Sequence, residues 1–347
     1  MIQATSTMIQ ATSTKVKQQR LHWVDYAKGI GIFLVVVGHT LRGLVKSSIL
    51  EESAFIMWVD RWIYAFHMPL FFFISGLFVV RSLSKPFKSF VLDKISVIVY
   101  PYFIWSILQN ILQILTSRYT NQPVTFTDIW RIIYQPYQQF WFLYTLFIIL
   151  LAYAIFHKLR ISPVIFLAFS VFIYILYCLD ISIGPWGILY LVRRYAIYFA
   201  LGLCFGSSNL LTKINQLKVL PLLLTIVVGY LAIALAVVFK FDENPIAIFI
   251  IATIGIAAST ALSVLLQNFN TMNFVKQWGI FSLEIYVAHI IAASSARIFL
   301  QKMFHISEPI VHLLIGTYVG IYGPIAFSKI CSKLGFQYMF KLRSLKA

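Results

Sequence analysis

The stretch Val24–Gly43, VDYAKGIGIFLVVVGHTLRG, decides how this chain folds. Its centre is a continuous apolar block, the material of a helix in lipid. Polar groups are nevertheless set along it. Lys28 and His39 stand eleven residues apart, almost three helical turns, so they share one face about 16 Å apart along the axis. Asp25 and Arg42 fall within about 100° of that face. Ionisable side chains inside a span are expensive, so each is a functional candidate. The competing reading is a snorkelling lysine and a histidine hydrogen-bonded within a bundle.

The same texture extends outward. Of 347 residues, 60% are hydrophobic and only 11% charged, whereas soluble domains carry roughly a quarter charged residues. Lipid is therefore the solvent for most of the chain. Ten apolar blocks are candidate spans: 27–45, 62–80, 95–115, 140–156, 163–179, 186–205, 219–239, 245–266, 279–300 and 309–330. The expected fold is all-α and polytopic, with about ten transmembrane helices. The fifth and sixth spans are separated only by a tight turn carrying Gly184, Pro185 and Gly187. Residues 1–14 read MIQATST twice, as a duplicated start would. Residues 1–20 are expected to be a disordered tail and not a signal peptide, because no apolar core follows before Trp23. Residues 21–331 form the expected membrane domain, and 332–347 a basic cytoplasmic tail. No second domain is expected.

A net charge of +17 would point to nucleic acid in a soluble protein. Here the basic residues sit between apolar blocks and make no patch, so no nucleic-acid partner is expected. They read as topology signals instead. Of the 28 Lys and Arg residues, five within spans are set aside: Lys28, Arg42, Arg193, Arg194 and Arg297. Lys329, one residue from the end of the tenth span, counts with the side on which that span ends. Six fall on one side of the membrane: Lys46, Arg61, Arg118, Arg131, Lys240 and Lys302. The remaining seventeen share the other side with both termini. That asymmetry predicts cytoplasmic termini in the cell inner (plasma) membrane. The three cysteines, Cys178, Cys204 and Cys331, show neither disulfide nor zinc spacing and read as small hydrophobes, with no metal expected.

Four fragments together resemble integral-membrane acyltransferases of the acyltransferase-3 type. These open with a basic residue, ten residues and a histidine in the first helix, as Lys28 and His39 do, with Asp25 three residues before the base. FHMPLFFFISG (Phe66–Gly76) is similar to the family's second helix. FWFLYTLF (Phe140–Phe147) resembles its WFL motif, and GIFSLEIYVAH (Gly279–His289) its SLxIYxxH motif. The resemblance covers about residues 20–330 and is strongest to the fucose 4-O-acetylase-like branch. It implies acetyl-CoA, or another acyl-CoA, as donor and a sugar or glycan hydroxyl as acceptor, with membrane lipid around the chain. Many relatives carry Arg-x-x-Arg at the start of the third helix, where this chain offers Lys85, Lys88 and Lys94. Lysine keeps the attraction for phosphate but lacks the two-point fork of arginine.

On this reading His39 is the catalytic base, since neutral imidazole is available near pH 7. Lys28, Lys85, Lys88 and Lys94, with Arg81, form a cytoplasmic rim for the donor's phosphates. His67, near the outer end of the second span, is as suited to a structural as to a functional role. His289 lies near mid-membrane, with Glu284 about a turn and a half away and pointing elsewhere. Arg193 or Arg194 faces the bundle, and Arg297 can snorkel. Trp141 is either a sugar platform or part of an interfacial aromatic belt. A transporter or flippase for a glycan or small molecule is the alternative, although no matched pair of broken helices supports it. A non-catalytic scaffold gives no reason for a histidine aligned with a basic rim.

Overall fold

The computed structural model describes residues 21–115 and 126–342. The duplicated N-terminal tail, Arg118 and the last five residues lie outside them. The elements of the described residues are all helical, in the order α1 (His22–Lys46), α2 (Ala54–Tyr64), α3 (His67–Leu77), α4 (Val79–Ser82) and α5 (Phe87–Lys94). A π turn, Ile95–Val99, leads into α6 (Tyr100–Leu115). Two 3-10 turns, Phe126–Ile133 and Gln138–Phe140, precede α7 (Trp141–Lys158). Then come α8 (Pro163–Cys178), α9 (Ile188–Gly206), α10 (Leu210–Lys213), α11 (Val219–Val238) and α12 (Pro245–Asn268). The last three are α13 (Asn273–Ile280), α14 (Ser282–Met303) and α15 (Pro309–Lys333). Among the described residues, eight helical stretches are long and apolar enough to cross a membrane. The other two expected spans are also helical, α8 as a single 16-residue helix and the second as the pair α2 and α3. The protein is an all-α, multi-pass membrane protein.

Local sequence sets these boundaries. Ser162 and Asn244 cap α8 and α12 through their side-chain oxygens, each followed by a proline in the first turn. Proline fits there because its missing N–H has no intrahelical partner to lose. The second span was expected to run unbroken through 62–80, but it breaks at Ala65–Phe66. Pro69 explains the break, since it cannot donate to the carbonyl of Ala65 and its ring crowds that carbonyl. The His67 side chain closes the gap, its Nδ1 lying 2.6 Å from the Ile63 carbonyl at the end of α2.

α1 is the axis of the bundle, packed against α3, α12, α13, α14 and α15. Its first turn is pinned to the α12–α13 corner. The Trp23 amide donates to Gln267 Oε1 at 2.7 Å, and the Tyr26 hydroxyl donates to the Thr271 carbonyl at 2.8 Å. α1 then crosses α13 backbone to backbone. A Cβ at Gly279 would stand 1.7 Å from the Asp25 carbonyl oxygen, and one at Gly29 2.0 Å from that of Val275. Only glycine permits this approach, as in close helix crossings in lipid generally.

Candidate active site

The half-buried His39 sits seven residues before the end of α1, opposite the end where the helix begins. It borders a cavity of about 290 Å³ that is also lined by Arg42, Tyr64, His67, Gln138 and Trp141. Each wall comes from a different element. The α2–α3 break presents Tyr64 and His67 together, their rings 4.7 Å apart. The Tyr64 ring is also 6.2 Å from His39, edge to face. Arg42 reaches across to Asp60 on α2, and its Cζ lies 3.3 Å from the centre of the Tyr64 ring. Trp141 opens α7 and packs against Tyr195 at 5.0 Å, so its ring belongs to the cavity wall.

The turn before α7 supplies the carboxamides. Gln138 has a left-handed backbone, φ 42°, a conformation a non-glycine residue adopts at a local cost. A network holds it there. Its Oε1 accepts from Gln109 at 2.7 Å and its Nε2 donates to Gln113 at 3.0 Å. Gln139 pairs with Gln109 at 2.8 Å, and the Tyr286 hydroxyl donates to the Gln139 carbonyl. Amide groups beside an aromatic ring suit a ligand rich in hydroxyls.

His289 on α14 is fully buried, with its ring 5.2 Å from that of His39. Three histidines thus gather at one end of the bundle. Among the described residues, no three His, Cys, Asp or Glu side chains converge closely enough to hold a metal ion. His39 also borders a second, smaller cavity of about 30 Å³, shared with Thr40, Arg297 and His312.

The other residues named from sequence lie elsewhere. Lys28 is on α1, three turns from His39, and Asp25 is buried at the crossing with α13. Lys85 is ion-paired with Asp93, Lys88 is exposed, and Lys94 lies 5.2 Å from the centre of the Phe90 ring. Glu284 occupies the first turn of α14, where a negative charge suits the helix dipole, and does not reach the cavity. Arg193 is the buried member of its pair, 4% exposed, donating to the carbonyls of Leu176 and Ile181 at the α8–α9 turn. Arg194 lies between the Tyr177 and Tyr195 rings. Tyr64, Gln138, Gln139 and Tyr286 line the cavity without having been singled out from sequence.

The fold is a polytopic helical bundle whose first helix sets a histidine beside a partly open cavity. Residues 21–329 match the model of the type 3 acyltransferase family, described as an acyltransferase domain, and the chain belongs to that family. It is also similar to the nodulation protein NolL of Mesorhizobium japonicum (strain LMG 29417 / CECT 9101 / MAFF 303099), with 35% identity over 85 residues. That similarity spans 24% of this chain and 22% of NolL. No solved structure matches.

Proposed function

We propose that this protein is a membrane O-acyltransferase that moves an acetyl group from acetyl-CoA to a hydroxyl of a cell-surface or lipid-linked sugar, with His39 as general base. One observation carries the reading: in a chain of the acyltransferase family, His39 stands on the wall of the 290 Å³ cavity, three turns along α1 from Lys28. The acceptor enters the cavity between Trp141 and the Gln138–Gln139 turn. Its hydroxyl gives a proton to His39 as its oxygen bonds to the acyl carbon. The carbon–sulfur bond breaks with its electron pair going to sulfur, and the thiolate takes the proton from His39. Lys28, Lys85, Lys88 and Lys94 hold the donor's phosphates at the opposite end of the bundle. The likeness of KGIGI and HMPLFF to the fucose 4-O-acetylase-like branch supports a sugar acceptor. The lysine and arginine asymmetry supports an inner-membrane protein with both termini in the cytoplasm.

The test is O-acetyl analysis of surface glycans from cells carrying wild-type protein, His39→Ala or His39→Gln. Glutamine keeps polarity but cannot take the proton. Both variants are expected to lose about 10²–10⁴-fold in transfer rate, the usual contribution of a general base, at unchanged protein level. Wild-type acetylation by well-expressed His39→Gln rules out the base assignment.

A further inference from the structure

His289 lies just behind the cavity wall, and its hydrogen bonding fixes what it can do. Its Nδ1 is 3.1 Å from the Ile285 carbonyl and 2.8 Å from the Tyr286 carbonyl. A carbonyl oxygen only accepts, so Nδ1 of the neutral ring carries the proton and Nε2 keeps a bare lone pair. That Nε2 is buried and has no hydrogen-bond partner among the described residues. A buried acceptor of this kind calls for a donor.

The His39 ring stands 5.2 Å away, centre to centre, tilted by 53°. No hydrogen bond joins the two rings as they stand, but at that separation a turn of the His39 ring brings one of its nitrogens to hydrogen-bond distance from Nε2. Of the other donors nearby, the Tyr64 hydroxyl has no hydrogen-bond partner, but its ring faces His39 and His67; two more are committed. The Tyr286 hydroxyl is given to the Gln139 carbonyl, and the Arg42 fork to Asp60.

We infer that His289 is the positioning residue for His39. It accepts an N–H from one nitrogen of the His39 ring, which fixes the tautomer and leaves the other nitrogen with its lone pair toward the cavity. The inference rests on the reading of His39 as base. During transfer His39 becomes an imidazolium with two N–H groups. One came from the acceptor hydroxyl and returns to the departing thiolate, while the other stays on His39, donated to His289. No carboxylate lines the cavity among the described residues, so a neutral imidazole with one usable lone pair takes the orienting role.

Two substitutions in the full chain separate orientation from packing. His289→Phe keeps a ring and removes the acceptor. His289→Gln places a carboxamide oxygen near the position of Nε2. Steady-state acetyl transfer by purified protein, with acetyl-CoA and deacetylated glycan from cells lacking the gene, is the measurement. His289→Phe is expected to lose about 10²-fold in kcat, the scale of a misplaced catalytic group, with both KM values unchanged. His289→Gln restores most of the loss, and His39→Ala with His289→Phe is no slower than His39→Ala alone. Where the Phe protein fails to accumulate, His289→Leu takes its place. Wild-type kcat in the acceptor-less variant overturns the inference. So does an equal loss in the Phe and Gln proteins. Wild-type turnover by His39→Ala removes the base assignment itself, and it is read in a separate protein.

Discussion

Arg42 and Asp60 meet in a two-point ion pair, Nε to Oδ1 at 2.7 Å and Nη2 to Oδ2 at 2.8 Å, that ties α1 to α2. The same guanidinium braces the Tyr64 ring, so one contact sets the spacing of two cavity walls. Asp60→Asn keeps the shape but removes the charge that the arginine fork grips. Acceptor KM should rise a few-fold, as expected for loss of about 0.5–1 kcal/mol from a half-exposed ion pair, while acetyl-CoA KM stays constant. Steady-state kinetics with each substrate varied reads this directly; an unaltered acceptor KM rejects the bracing role.

Lys28 lies on the His39 helix at the far end from the cavity. Lys28→Ala should raise the KM for acetyl-CoA, and Lys28→Arg should do so less, because arginine also pairs with phosphate. Loss of roughly one charged contact corresponds to about 1.5–3 kcal/mol, or ten- to a hundredfold in donor affinity. Equal activity loss in both variants with donor affinity unchanged means that Lys28 acts otherwise.

Gly279 and Gly43 make a matched pair for stability. A Cβ at Gly279 meets backbone, the Asp25 carbonyl oxygen at 1.7 Å, whereas one at Gly43 meets nothing within 4 Å. Gly279→Ala should therefore destabilise by at least the about 1–3 kcal/mol of overpacking, because no side chain can yield. Gly43→Ala should be neutral or slightly stabilising through helix propensity. Thermal unfolding in detergent compares them; equal midpoints contradict the crossing of α1 and α13.

Topology is tested by cysteine labelling in intact cells. Lys46 ends α1 and Ser84 follows α4, and both are exposed. Lys46→Cys should react with an impermeant reagent from outside, and Ser84→Cys only after permeabilisation. Labelling of both from the same side ends the proposed orientation.

The helical bundle is legible in the sequence because lipid imposes one rule everywhere. Backbone groups must be satisfied within each segment, so every apolar block becomes a helix. The break at Ala65–Phe66 escapes that rule, since hydropathy continues across it while Pro69 interrupts the hydrogen bonding. In the site, His39, His67, Arg42 and Trp141 stand out as polar or amphipathic groups within apolar surroundings. Tyr64, Gln138, Gln139 and Tyr286 do not, because their meeting depends on how α1, α2, α14 and the turn before α7 pack. The angular offset between Glu284 and His289 separates those two by sequence, but it does not reveal that His289 stands against His39. Likewise only the fold distinguishes Arg193, held by the α8–α9 turn, from Arg194 among tyrosine rings.

His67 and His289 each commit Nδ1–H to a main-chain carbonyl, the former to Ile63 and the latter to Ile285 and Tyr286. An imidazole conducts a proton only by taking one at one nitrogen and releasing one from the other. A peptide carbonyl is far too weak a base to receive what Nδ1 would release. Both rings are therefore dead ends for proton hopping, and His39 has no imidazole wire leading away from it through either neighbour. In the proposed reaction, a proton lifted from an acceptor hydroxyl has no route away through these two rings. That suits the proposed reaction, in which the proton returns within the same turnover.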